Sequence, residues 1–126
     1  MLSGVIVTHA GLAESLRAAA ARIAGDVSGI EVVSNEGLGA DALVTEIRAA
    51  LARAGGGDAV VFTDMGGGSC STAVQLVLRE FGSVRLVTGV NLPMLVDFVL
   101  RRAEMDLDAM VTRLVQRGQV SIQELK

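Results

Sequence analysis

A chain of 126 residues, 51% of them hydrophobic, is the size of one domain (1–126) able to bury a core. A net charge of -3, a single lysine at position 126 and an aromatic content of 2% leave neither a basic stripe nor a set of stacking rings, which sets nucleic acid aside as a partner. One cysteine, Cys70, allows no internal disulfide, and with one histidine it cannot furnish the tetrahedron of a structural zinc site, so no metal is expected.

Met1 to Thr8 reads as a first strand, and its apolar part, Leu2 to Val7, is too short for the core of a signal peptide. A helix follows over Ala10 to Ala24, with Leu12, Leu16, Ala19 or Ala20, and Ile23 inward and Gly25 as its stop; Arg17 and Arg22 fall on other faces. Ile30 to Ser34 is a second strand, Asn35 to Gly39 a turn-rich loop, and Asp41 or Ala40 opens a helix to about Ala54 striped by Leu43, Ile47 and Leu51. Gly55-Gly56-Gly57 ends that helix and precedes a strand, the reverse of an anion-binding loop.

Asp58 to Thr63 is a continuous apolar run, as expected of a strand covered on both faces. Its exit loop, Asp64 to Gly68, leads into a helix capped by Ser69, Ser71 or Thr72, carrying Val74, Val77 and Leu78 inward and stopping near Gly82. Val84 to Thr88 is a fourth strand; Asn91 then caps a helix from Pro93 to about Ala103, with the proline in its first turn. That helix is apolar almost all round, which implies either a subunit interface or a position sandwiched against the last helix. Asp106 or Asp108 starts the last helix, with Leu107, Met110, Val111, Leu114 and Val115 inward and Gly118 as its end, and Val120 to Ile122 reads as a short fifth strand.

Strands alternating with helices predict a flavodoxin-like α/β sandwich: a mostly parallel sheet of four strands with helices on both faces, plus a short C-terminal edge strand. Three strand exits then meet on one edge: His9, Asp64 with its glycines, and Thr88 to Asn91. No apolar run approaches the roughly 20 residues of a membrane span, and a cytoplasmic protein is expected.

The chemistry open to that edge narrows by elimination. Gly66-Gly67-Gly68-Ser69 lacks the lysine of a nucleotide-binding loop. A phospho-aspartate at Asp64 lacks an acidic pair after the first strand and a lysine after a later one. A Ser69 or Cys70 nucleophile with His9 as base and Asp64 as orienter lacks the Gly-x-Ser-x-Gly elbow. There remains His9 as nucleophile: a carboxylate that accepts the proton of one ring nitrogen fixes the tautomer and turns the other lone pair outward. Asp64 supplies that carboxylate. The glycine-rich loop, the hydroxyls of Thr8 and Ser69, and the start of the third helix then offer donors to an incoming phosphoryl group.

Val7-Thr8-His9-Ala10-Gly11-Leu12-Ala13, then Thr63-Asp64 with Gly67-Gly68-Ser69, then Gly89-Val90-Asn91-Leu92-Pro93-Met94-Leu95 resemble the signature stretches of the mannose-family IIA domains of the bacterial sugar phosphotransferase system. The resemblance implies a homodimer, with a C-terminal strand that swaps onto the neighbour. It implies His9 as phosphoryl acceptor, Asp64 as its carboxylate and Ser69 as a hydroxyl near the phosphate, with no cofactor. It further implies the phosphocarrier HPr as donor and, as acceptor, a IIB component of a transporter that this protein meets at most peripherally. Gly66, Cys70 and Thr72 depart from the family's aromatic, proline and asparagine, and an aromatic at a loop tip is a natural partner anchor. Two further roles stay open: a regulatory phosphohistidine switch acting on a kinase or transcription regulator, and a phosphotransfer subunit of a dihydroxyacetone kinase.

Overall fold

The computed structural model describes all residues, 1–126. Its elements are β1 (Ser3–Thr8), α1 (Leu12–Ala24), β2 (Ile30–Ser34), α2 (Ala40–Arg53), β3 (Ala59–Thr63), α3 (Ser69–Leu78), β4 (Val84–Thr88), α4 (Leu92–Arg101) and α5 (Leu107–Val120). The four strands form one sheet in the order β2-β1-β3-β4, and every pairing is parallel. This is the flavodoxin-like α/β sandwich expected from the strand and helix order.

The order follows from burial. Every residue of β1 and of β3 is buried, whereas β2 and β4 each keep partly exposed positions and take the edges. Side chains alternate across the sheet. Val5, Val7 and Val61 face α2 and α3, among Leu43, Ile47, Val74 and Val77. Ile6, Val60 and Phe62 face the other way, among Met94, Leu95, Phe98, Met110 and Leu114 of α4 and α5. Phe62 and Phe98 meet edge to face with centroids 5.2 Å apart.

Several expectations are corrected. The fifth strand at Val120 to Ile122 does not form: α5 continues to Val120, and Ser121 Oγ donates to Gly118 O at 2.7 Å, which closes the helix C-terminus. Gly118 therefore does not end α5. It is buried within the helix, where a β-carbon would lie 2.7 Å from Met94 Cε, so its lack of a side chain lets α5 approach α4.

In α1 the buried positions are Ala13 and Ala20, while Leu12 and Ile23 stand 44% and 62% exposed. Small inward residues bring α1 close to its neighbours, at the expense of the larger stripe predicted from spacing. Val115 of α5 is likewise exposed, and α3 ends at Leu78, short of Gly82. Arg17 lies away from His9: its Nε donates to Ile30 O at 2.6 Å, at the start of β2. The apolar α4 packs against α1 and α5, and its Leu100 remains 56% exposed.

Gly4 on β1 is a further close approach in this core, since a β-carbon there would sit 3.0 Å from Phe98 Cε2. Gly4→Val is expected to lower stability by about 1–3 kcal/mol through overpacking, and Phe98→Ala by about 3–5 kcal/mol through the cavity it leaves. Urea unfolding of both variants checks this; parent-like midpoints contradict the packing described.

Candidate functional site

The sheet order reverses direction at β1: the chain leaves β1 for β2 on one side and returns to β3 on the other. A crevice forms at the strand ends where such a reversal occurs. His9 follows β1 and Asp64 follows β3, and the Val7–Thr63 register sets the two exits side by side.

Asp64 Oδ2 accepts twice from His9, from the backbone N–H at 3.0 Å and from ring Nδ1 at 2.9 Å. The imidazole is 44% exposed and the carboxylate 11% exposed. Burial pushes the Asp64 pKa up, but the N–H groups of His9 and its charge outweigh that, and the net direction is below the ordinary 3.8. An ionised carboxylate can only accept, so Nδ1 carries a ring proton, and in the neutral ring the lone pair is on Nε2. Nε2 makes no hydrogen bond within the chain. Ala10, directly after the histidine, is held at φ 49°, a left-handed conformation uncommon for a residue with a side chain.

Opposite Nε2 lies the start of α3. Gly68, at φ 89°, passes so close that a β-carbon would come within 4.0 Å of Nε2. That dihedral is what suits glycine here, since a β-carbon at this distance would be in ordinary van der Waals contact with the ring. The N–H groups of Gly67, Gly68, Ser69, Cys70 and Ser71 donate to no protein acceptor; the first closing bond of α3 is Thr72 N–H to Gly68 O at 3.2 Å. Free N–H groups and the helix dipole make this a place for an anion. The loop is anchored from below, because Thr63 Oγ1 and Ser71 Oγ both donate to Met65 O, at 3.2 and 2.9 Å.

Of the residues expected at the site, His9, Asp64 and Gly68 come together, while Gly67 and Ser69 are the exposed neighbours of Gly68 in the chain. Thr8 does not face it. Its side chain is fully buried, and Oγ1 accepts from Ala13 N–H at 2.7 Å, capping α1. A hydroxyl so placed is unavailable to a surface anion, which corrects the expectation that Thr8 contacts phosphate.

Asn91 also lies apart: its Oδ1 accepts from Met94 N–H at 3.1 Å and its Nδ2 donates to Gly118 O at 3.1 Å, fastening α4 to α5. Cys70 is fully buried, and burial, with the charge of Asp64 adding to it, pushes its thiol pKa up. It is no activated nucleophile, and Ser69 makes no hydrogen bond to His9, so neither arrangement with His9 as base is formed. Asn35 was not singled out from sequence. Its Nδ2 donates to Ser69 Oγ at 3.4 Å and its backbone N–H to Thr8 O at 3.0 Å, tying the β2 exit to the start of α3. Its one sequence signal is an asparagine opening a glycine-containing turn.

A flavodoxin-like sheet with a histidine–carboxylate pair at its reversal point defines the class. The family model of the phosphotransferase-system fructose IIA component matches residues 3–115, and the chain belongs to this family of sugar phosphotransferase components. Its fold is that of the phosphotransferase component EIIA from Streptococcus agalactiae, at 19% identity and a TM-score of 0.89 over 98% of this chain and 97% of that one. The mannose/sorbose specific IIA subunit from Enterococcus faecalis is 23% identical, with a TM-score of 0.88 over 99% and 95% of the two chains. The IIA protein associated with the fucose utilization operon of Streptococcus pneumoniae is 19% identical, with a TM-score of 0.83 over 99% and 96%. A search of curated proteins by sequence finds no match. No helix is long and apolar enough to cross a membrane.

Because folding lowers the Asp64 pKa, its ionised form adds stability above the unfolded value of 3.8, and that contribution is lost as pH falls through the folded value. Asp64→Asn is therefore expected to be less stable than the parent near neutral pH, with the gap narrowing below 3.8. Urea midpoints of the two proteins on either side of that pH check it; a constant gap contradicts it.

Proposed function

We propose that this protein is a phosphoryl carrier whose acceptor is Nε2 of His9. The supporting observation is the double hydrogen bond from His9 to Asp64, which in the neutral ring puts the lone pair on Nε2, beside Gly68 at the start of α3. The Nε2 lone pair attacks phosphorus as the donor's P–N bond breaks, and the ring becomes cationic at the moment that Asp64 is in contact with Nδ1–H. The phosphoryl oxygens meet the N–H groups of Gly67, Gly68 and Ser69 and the Ser69 hydroxyl, and passing the group on reverses the step. When donor and acceptor are both phosphohistidine proteins the exchange is nearly balanced, so positioning and electrostatics suffice and no metal or cofactor is called for.

The donor is HPr, and the acceptor is a IIB component serving a sugar of the mannose or fructose class. A second reading is favoured by the loop Gly66-Gly67-Gly68, which has no large side chain where the family places an aromatic. A partner that senses phosphorylated against free His9, a regulatory protein, needs no such anchor.

Incubation with phosphoenolpyruvate, enzyme I and HPr is expected to add one phosphoryl group, acid-labile and base-stable, to the parent and none to His9→Ala. Asp64→Asn is expected to be phosphorylated about tenfold more slowly or worse, since its amide cannot stabilise the cationic ring in the same way. Intact-mass time courses check both. Labelling of His9→Ala, or none of the parent, overturns the proposal.

A further inference from the structure

Cys70 is one of the three departures from the family pattern, and the role proposed for His9 makes no use of it. A ring nitrogen of His9, a carboxylate oxygen of Asp64 and the Cys70 sulfur all lie within 4.8 Å of one another. Beside them, Asp64 Oδ1 is buried and has no hydrogen-bond partner. A buried carboxylate oxygen left unpaired is uncommon and costly, and a cation is one way to satisfy it.

We propose that His9, Asp64 and Cys70 form a three-ligand site for a thiophilic divalent cation of the zinc type, and that the ion and the phosphoryl group exclude one another at His9. Nitrogen, oxygen and thiolate ligands on one ion, with a fourth position open, are a recurrent zinc set. Tetrahedral zinc, with bonds of about 2.0–2.3 Å, places its ligand atoms roughly 3.3–3.6 Å apart, so side-chain shifts of about 1 Å close this triad on an ion. A thiolate ligand selects zinc over magnesium or calcium. The single histidine and cysteine rule out a closed structural site but not this open one. The exposed glycines 66–68 leave the half-exposed ring reachable from solvent.

Exclusion follows from the proton balance. The Cys70 thiol releases its proton to solvent and the sulfur bonds the metal. Ligation through Nε2 consumes the lone pair that attacks phosphorus; ligation through Nδ1 displaces the ring proton to Nε2. In both cases no acceptor remains on the ring. This second half of the proposal rests on the phosphoryl-carrier reading, whereas the binding itself does not.

Cobalt(II) as a spectroscopic stand-in for zinc separates the two. Added to the full chain, it is expected to give a thiolate-to-cobalt charge-transfer band and tetrahedral visible bands, reversed by zinc. Cys70→Ser and His9→Ala, shown folded by circular dichroism, are expected to lose the charge-transfer band or bind at least about tenfold more weakly. No such band in the parent, or equal zinc affinity in Cys70→Ser, overturns the site. Stoichiometric zinc is further expected to slow labelling of the parent by phospho-HPr while leaving Cys70→Ser unaffected. Equal inhibition of both proteins, or of neither, overturns the exclusion. A parent that takes no phosphoryl group even with metal chelated refutes the carrier reading instead, and the cobalt spectrum still decides the site.

Discussion

One carboxylate oxygen, Oδ2 of Asp64, receives both the backbone N–H and the ring N–H of His9. The first bond fixes where the residue stands and the second fixes how its ring is turned and which nitrogen is protonated. A single contact thus joins the exits of two adjacent parallel strands and leaves Nε2 as the ring nitrogen with no partner in the chain. The hydrogen bonds offset the burial of the carboxylate well enough that its pKa falls rather than rises.

The rest of the fold keeps this contact in register. β1 and β3 are buried on both faces, between one cluster containing Val5, Val7 and Val61 and another containing Ile6, Val60 and Phe62. A one-residue slip between these strands would exchange the two faces, so pairing is strongly specified where His9 and Asp64 emerge. Beyond the strand ends, Thr8 caps α1 from beneath and Thr63 and Ser71 hold the carbonyl of Met65. The glycine loop is therefore free of side chains above and fastened below, as a surface must be if it is to receive an anion through backbone N–H groups.

His9 and Asp64 were legible because each closes an apolar run and precedes a glycine-bearing turn, a local pattern that a parallel sheet turns into proximity. The family signatures added the roles. Thr8 was misread because sequence neighbours beside a reactive histidine look alike whether they point outward or down; only the helix geometry at Ala13 N–H shows which. Val120 to Ile122 has strand composition, yet Val120 is the last residue of a helix already committed by the Asp106 cap and its packing on α4, and Ser121 closes that helix. Gly118 was read as a stop by the usual rule for glycine near a helix end, and Met94 is what gives it another purpose. Cys70 looked like a small helix-start residue, since no one-dimensional spacing reports that residues 9, 64 and 70 converge.

The account's central claim concerns one nitrogen atom. Nuclear magnetic resonance of protein carrying 15N-labelled histidine, recorded before and after transfer from phospho-HPr, reads that atom directly. The prediction is a neutral Nδ1–H tautomer at the start and phosphorus coupled to Nε2 afterwards, with the Nδ1 proton retained. Coupling to Nδ1, or a ring protonated at Nε2 before transfer, would contradict it.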